Sequence, residues 1–258
     1  TRLLIVTGVQ TCALPISPDV AAGRPISYRV ENASASLRLT WQASQRNRFT
    51  FFADESWPCF CLGYSPPSDR SSEATEYFRT RPNRVLQASV SSTLSSRLLF
   101  QAGASTYRGS WASEPQPGVP LDRMSITELS TNFTIGSSPT YRKNPNMQAN
   151  YRASLTYVTG AHDFKVGMSF MHAYHRPEIT ALGDMNRQLL RGVPVSVRVY
   201  APLEQEQRIK ANLGLYVQDQ WRIKQLTLSA GLRFDYLNGY VPAQTVPAGR
   251  FVPERSFA

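Results

Sequence analysis

The stretch LTLSAGLRFDY, Leu226 to Tyr236, alternates apolar and polar residues without a break. Leu226, Leu228, Ala230, Leu232, Phe234 and Tyr236 fall on one side of an extended chain. Thr227, Ser229, Gly231, Arg233 and Asp235 fall on the other. Successive side chains of a strand point to opposite faces, so this pattern predicts a strand with one apolar and one polar face.

The pattern recurs along the chain. Leu213, Leu215 and Val217 alternate with Asn212, Gly214, Tyr216 and Gln218. Phe164, Val166, Met168 and Phe170 alternate with Lys165, Gly167 and Ser169. Ala149, Tyr151, Ala153, Leu155 and Tyr157 alternate with Asn150, Arg152, Ser154 and Thr156. Leu98, Phe100, Ala102 and Ala104 repeat the theme with Arg97, Gln101, Gly103 and Ser105. So do Leu37, Leu39, Trp41 and Ala43 with Arg38, Thr40 and Gln42.

The links between these runs are of two kinds, and they take turns. Short links are expected near Ser44–Asn47, Thr93–Ser96, Thr159–His162 and Arg222–Gln225. Long links rich in Pro, Ser and Gly are expected near Trp57–Arg81, Ala112–Asn146 and Arg176–Arg191, with little core of their own. Outer-membrane barrels have short turns at one end and long loops at the other. Runs such as Arg97–Trp111 and Gln225–Asn238 also exceed the ~5–6 residues of an ordinary strand and suit the ~9–11 of a tilted membrane strand. The expected fold is therefore all-β: part of a transmembrane, antiparallel, up-and-down β-barrel, about ten strands of a larger one.

Composition agrees. Charged residues make up 18% of the chain, below the ~25% of soluble domains. The formal net charge is +10. It comes almost wholly from arginines scattered singly, so no basic run points to nucleic acid. No stretch approaches the ~18 apolar residues of a membrane-spanning helix.

Candidate site residues follow from the faces. If the apolar faces meet lipid, Arg38, Arg152, Lys165, Arg233 and Asp235 face the lumen. There they could meet a plug or an anionic solute, or simply pair with one another across strands. Trp41, Trp57, Trp111 and Trp221 fall near strand ends, where aromatic girdles sit at membrane interfaces. Cys59 and Cys61 lack zinc-site spacing, since no second pair or histidine is near. A disulfide in an oxidising compartment is open to them, though so small a ring is strained, and a local loop feature without chemistry is expected. His172 and His175 would face opposite sides of a strand and make a poor metal pair. No catalytic constellation, metal site or cofactor motif is found, so the chain is not expected to be an enzyme.

The first residues read TRLLIVTGVQTCALPIS. Their apolar run is shorter than the ~7–15 residues of a signal-peptide core. Val6 to Ile16, VTGVQTCALPI, resembles a translated sequencing adapter. Residues 1–17 are therefore expected to be foreign, and residues 18–258 a fragment of a longer barrel domain.

Leu213–Asn238, LGLYVQDQWRIKQLTLSAGLRFDYLN, resembles a hairpin of TonB-dependent outer-membrane transporters, especially their Oar-like group. Tyr157–Gly167 resembles another turn and strand of that group, and Arg48–Cys61 its Phe-rich strand leading to a Cys-x-Cys loop. The likeness covers most of residues 24 to 255. It implies a barrel of about 22 strands whose lumen is closed by a separate plug. It further implies uptake of an extracellular ligand across the bacterial outer membrane, with energy supplied by a TonB complex through the plug. No plug, TonB-contacting box or closing strand is read in these residues, as expected of a fragment. A passive porin or adhesive barrel is the alternative, and a secreted soluble β-rich binding module a more distant one.

Overall fold

An extended run can satisfy its backbone N–H and C=O groups only beside another such run, so alternating segments joined by short turns fold as neighbours. The computed structural model describes residues 2–19, 24–61, 69–201 and 203–257. Its strands are β1 (Arg2–Asp19), β2 (Arg24–Gln42), β3 (Asn47–Phe60), β4 (Tyr77–Ser95), β5 (Leu98–Glu114), β6 (Ser125–Glu128), β7 (Phe133–Ile135), β8 (Tyr141–Val158) and β9 (His162–His175). They continue as β10 (Glu178–Thr180), β11 (Met185–Leu190), β12 (Val193–Val199), β13 (Leu203–Glu204), β14 (Gln207–Ile223), β15 (Leu226–Tyr240), β16 (Gln244–Val246) and β17 (Arg255–Phe257). The main sheet runs β1-β2-β3-β4-β5-β8-β9-β14-β15, with every pair along this path antiparallel.

The four expected short turns are present. Residues 43–46 join β2 to β3, where the Ser44 hydroxyl accepts from the Asn47 backbone N–H at 3.1 Å and the Asn47 side-chain amide at 3.0 Å. Residues 96–97, 159–161 and 224–225 make the others. Lys224 takes a left-handed backbone, with φ 55°, to close the last of them.

β1 lies along the outer edge of β2, so the adapter-like segment Val6–Ile16 is part of an edge strand. An open edge offers backbone groups that pair with any adjacent extended segment, whatever its side chains.

The long links differ from expectation. Trp57 lies inside β3 and Trp111 inside β5, because hairpin pairing continues well past the apolar rows. Cys59 likewise lies in β3 rather than in a loop, and is disulfide-bonded to Cys61. The loops also have structure of their own. β12, β11, β6 and β7 form a separate four-stranded sheet. Its polar face is the buried one: Asn186 donates to Ser125 Oγ at 2.7 Å and to Thr127 Oγ1 at 3.0 Å, and Thr127 bonds Thr134. The Glu128 carboxylate accepts N–H groups from Arg191 and Gly192, both at 2.9 Å, across the β11–β12 turn. That turn has positive φ at both residues.

The main sheet curls, and the polar face is its inside. Arg38 on β2 and Arg233 on β15 line one cavity of about 520 Å³. Seven strand spacings separate them along the sheet, which would be roughly 34 Å if it were flat. Small residues make room on this inner face. The Tyr216 ring lies over Gly167, and the Arg233 guanidinium over Gly214.

Two outcomes follow. A Cβ on Gly167 would meet the Tyr216 ring and stand 2.8 Å from the Ala153 carbonyl oxygen. Gly167→Ala should therefore cost about 1–3 kcal/mol of stability, read as a lowered denaturation midpoint; an unchanged midpoint would refute the close packing. Hydrogen bonds from Ser130, Gly192 and Arg191 hold the Glu128 carboxyl at about 2, below its ordinary 4.5. Its grip on the β11–β12 turn is thus complete above pH 4.5 and lost as pH falls through about 2. Amide protection factors at Arg191 and Gly192, taken relative to intrinsic exchange, should fall over that interval, and should be low and independent of pH in Glu128→Ala.

Candidate functional site

Cross-strand register fixes which side chains share the inner face. One row reads Thr40, Thr50, Ser89, Gly103, Arg152, Ser169, Gly214 and Asp235. Arg38, Lys165 and Arg233 have the same parity on their strands. All five polar candidates therefore lie on the concave side. Arg38, Arg152 and Arg233 line the cavity of about 520 Å³. Arg152 and Lys165 line a second of about 500 Å³, joined there by Arg48 and Tyr216. Arg48 was not singled out from sequence, although its alternation with Phe49 and Phe51 carried the signal.

The expected pairing of these charges across strands is not what forms. Arg233 pairs with Asp235 two residues along its own strand, at 2.7 Å. Arg38 lies over the Phe52 ring, 5.3 Å from its centroid. Arg38, Arg152 and Lys165 make no ion pair among the described residues. Carboxylates gather instead towards the long-loop end, where Arg84 bonds Glu55 at 2.6 Å and Arg79 bonds Glu114 at 2.8 Å.

The convex face is apolar and open. Leu232 is 78% exposed, Phe234 58% and Trp41 55%. Trp41 stacks on Phe49 at 5.5 Å, near the short turns. Trp221 is there too, with His162 stacked between it and Phe164 at 5.4 and 5.1 Å. His162 Nδ1 lies 2.7 Å from an Asp219 carboxylate oxygen. Trp57 shares this convex parity at the other end of β3. Trp111 differs: the unbroken β5–β8 register gives it the parity of Gly103 and Ser105, on the inner face. His172 and His175 fall on opposite faces, and no metal-holding group occurs among the described residues.

At the long-loop end a third cavity, of about 560 Å³, opens inside the curl. Phe60, Phe78 and Trp111 give it aromatic walls, and Arg70, Glu76 and Arg142 give it charge. The Phe78 and Trp111 rings stack at 5.3 Å. Ser138 donates its hydroxyl to Glu76 at 2.9 Å. Burial pushes the Glu76 carboxyl up, against the lowering pull of Ser138, Arg70 and Arg142. No sequence motif signalled this cavity, because its walls come from segments more than sixty residues apart, as Glu76 and Ser138 are.

Residues 28–256 match the family described as "Outer membrane beta barrel domain". The chain belongs to that family. It is a protein of the outer membrane, and the exposed apolar face of its barrel domain meets lipid. No curated protein matches it. Among solved structures it is similar to the outer membrane transporter YddB from Escherichia coli. Identity is 15% and the TM-score 0.60, over 93% of this chain and 33% of that one. The siderophore receptor PiuA from Acinetobacter baumannii is 10% identical, with a TM-score of 0.48, over 98% of this chain and 41% of that one. The chain thus spans well under two thirds of either protein.

Leu215 sits mid-band on the lipid face, in register with Met168 and Phe234, whereas Ser154 faces inward. Leu215→Arg should cost about 2–4 kcal/mol in a bilayer, and Ser154→Arg much less. Chemical denaturation in lipid vesicles reads the difference; a larger cost for Ser154→Arg would mean the faces are reversed, and equal costs that neither face is selectively in lipid.

Proposed function

We propose that the chain is part of a TonB-dependent outer-membrane receptor of the Oar-like group, which takes an extracellular ligand across the outer membrane. The observation that carries this reading is a sheet with a lipid-facing outside, a cationic inside and a ligand-sized cavity at its long-loop end, the outer end in barrels of this kind. In this reading Arg38, Arg152, Lys165, Arg233 and Asp235 line the lumen. Trp41, Trp57 and Trp221 belong to the interfacial girdles, and Trp111 belongs to the mouth of the lumen instead. A plug outside this chain gates the passage, and a TonB complex acting through that plug drives it. Residues 1–17 are foreign to the native protein; the family match begins beyond them, at residue 28.

Solute accumulation in cells expressing the intact gene, with and without the energy-coupling complex of the inner membrane, tests the proposal. Uptake should collapse when the complex is removed. Uptake that persists unchanged would make the barrel a passive pore.

A further inference from the structure

The mouth cavity brings together a wall of aromatic rings and a cation with no ion pair among the described residues. Phe78 and Trp111 present stacked faces, 5.3 Å apart and 30° from parallel. Phe60 lines the same space. Arg70 engages Asp69, at 3.1 Å. Arg142, exposed at the start of β8, makes no side-chain hydrogen bond or ion pair among the described residues, although its charge is felt by Glu76. Its backbone N–H is fixed by the Ser113 hydroxyl at 2.9 Å, which holds the base of the side chain at the rim.

Building on the receptor function proposed above, we infer that this cavity holds the planar anionic part of the extracellular ligand: an aromatic carboxylate, with its ring against Trp111 and Phe78 and its carboxylate on Arg142. The volume of about 560 Å³ lies within the range of small-molecule pockets and suits one or two fused rings. A guanidinium fork matches the two oxygens of a carboxylate, and an aromatic face matches a ring. A neutral sugar would leave Arg142 unused; a bare inorganic anion would leave the rings uncovered. Burial shifts Glu76 towards its neutral form, which lessens its repulsion of an incoming anion.

Tryptophan fluorescence of the full chain in detergent micelles tests this, with empty micelles as the blank. The probes are 2-naphthoate and its neutral counterpart 2-naphthalenemethanol. The acid should quench saturably and bind at least about tenfold more tightly than the alcohol, as expected for one charge-assisted contact. Arg142→Gln should remove that preference, and Trp111→Phe should remove most of the quench. Equal affinity for acid and alcohol, or no saturable quench, overturns the assignment, and this comparison needs no variant to fold. The receptor reading fails separately. Naphthoate binding combined with uptake that ignores the energy-coupling complex would sink the receptor and leave the cavity. Coupled uptake without naphthoate binding would sink only the cavity.

Discussion

A backbone that crosses a hydrocarbon layer must satisfy all its N–H and C=O groups within the protein, and the rest of this fold follows from that. Only continuous pairing of neighbouring strands meets the condition here. Continuous pairing imposes a side-chain period of two, and that period separates a lipid face from an inner face along every strand. The positions of the register breaks show the constraint at work. β3 and β4 lose register between Glu55 and Cys59, β4 and β5 between Thr80 and Asn83, and β14 and β15 between Ile209 and Ala211. All three lie towards the long-loop end, beyond the apolar rows. The remaining break in these hairpins, at Thr93 and Ser95, lies at the short-turn end. Between the two ends the ladders run unbroken. Bulges are tolerated where water can reach the groups they release, and the apolar band has no such water.

Curling the sheet adds a second demand, since the inner face has less room than the outer one. Large side chains lie flat there over glycines, as Tyr216 does over Gly167 and Arg233 over Gly214. The same face carries cations with no carboxylate partner. Water in a lumen makes that tolerable, whereas the lipid face would not. The apolar face is the more regular pattern along the strands for the same reason: a charge placed there at mid-band costs about 2–4 kcal/mol.

Much of this was legible in the sequence. Strict alternation from Leu226 to Tyr236 marked both the strand and its faces, and turn residues placed all four short links to within three residues. The strand ends towards the loops were less legible. Pairing continues beyond the membrane wherever two strands remain extended, so Trp57 lies within a strand where a loop was expected, and the strand expected to end at Trp111 runs on to Glu114. Trp111 then faces inward because of a parity that only the continuous β5–β8 register reveals. The loop sheet was hidden for another reason. Its buried face is built from Asn186, Ser125, Thr127 and Thr134, polar residues that leave no hydrophobic period to read. The mouth cavity is assembled from four separate segments and has no local signature at all.

The charge distribution links fold to role. Carboxylates near the long-loop end are matched by arginines and lysine: Glu55 by Arg84, Glu114 by Arg79, Glu178 by Lys143 and Glu204 by Arg176. Exposed pairs of this kind contribute about 0–1 kcal/mol each, so they do not hold the sheet together. What they do is cancel charge at the outer end. Part of the chain's net charge of +10 is left on the inner face, where no carboxylate answers it. Arg38, Arg48, Arg152 and Lys165 stand on the inner face, and Arg142 at its mouth. A positive field confined to a concave, low-dielectric surface is focused rather than spread. On the function proposed above, an anion entering past Arg142 would find an attractive surface continuing inward to Arg38 and Arg152.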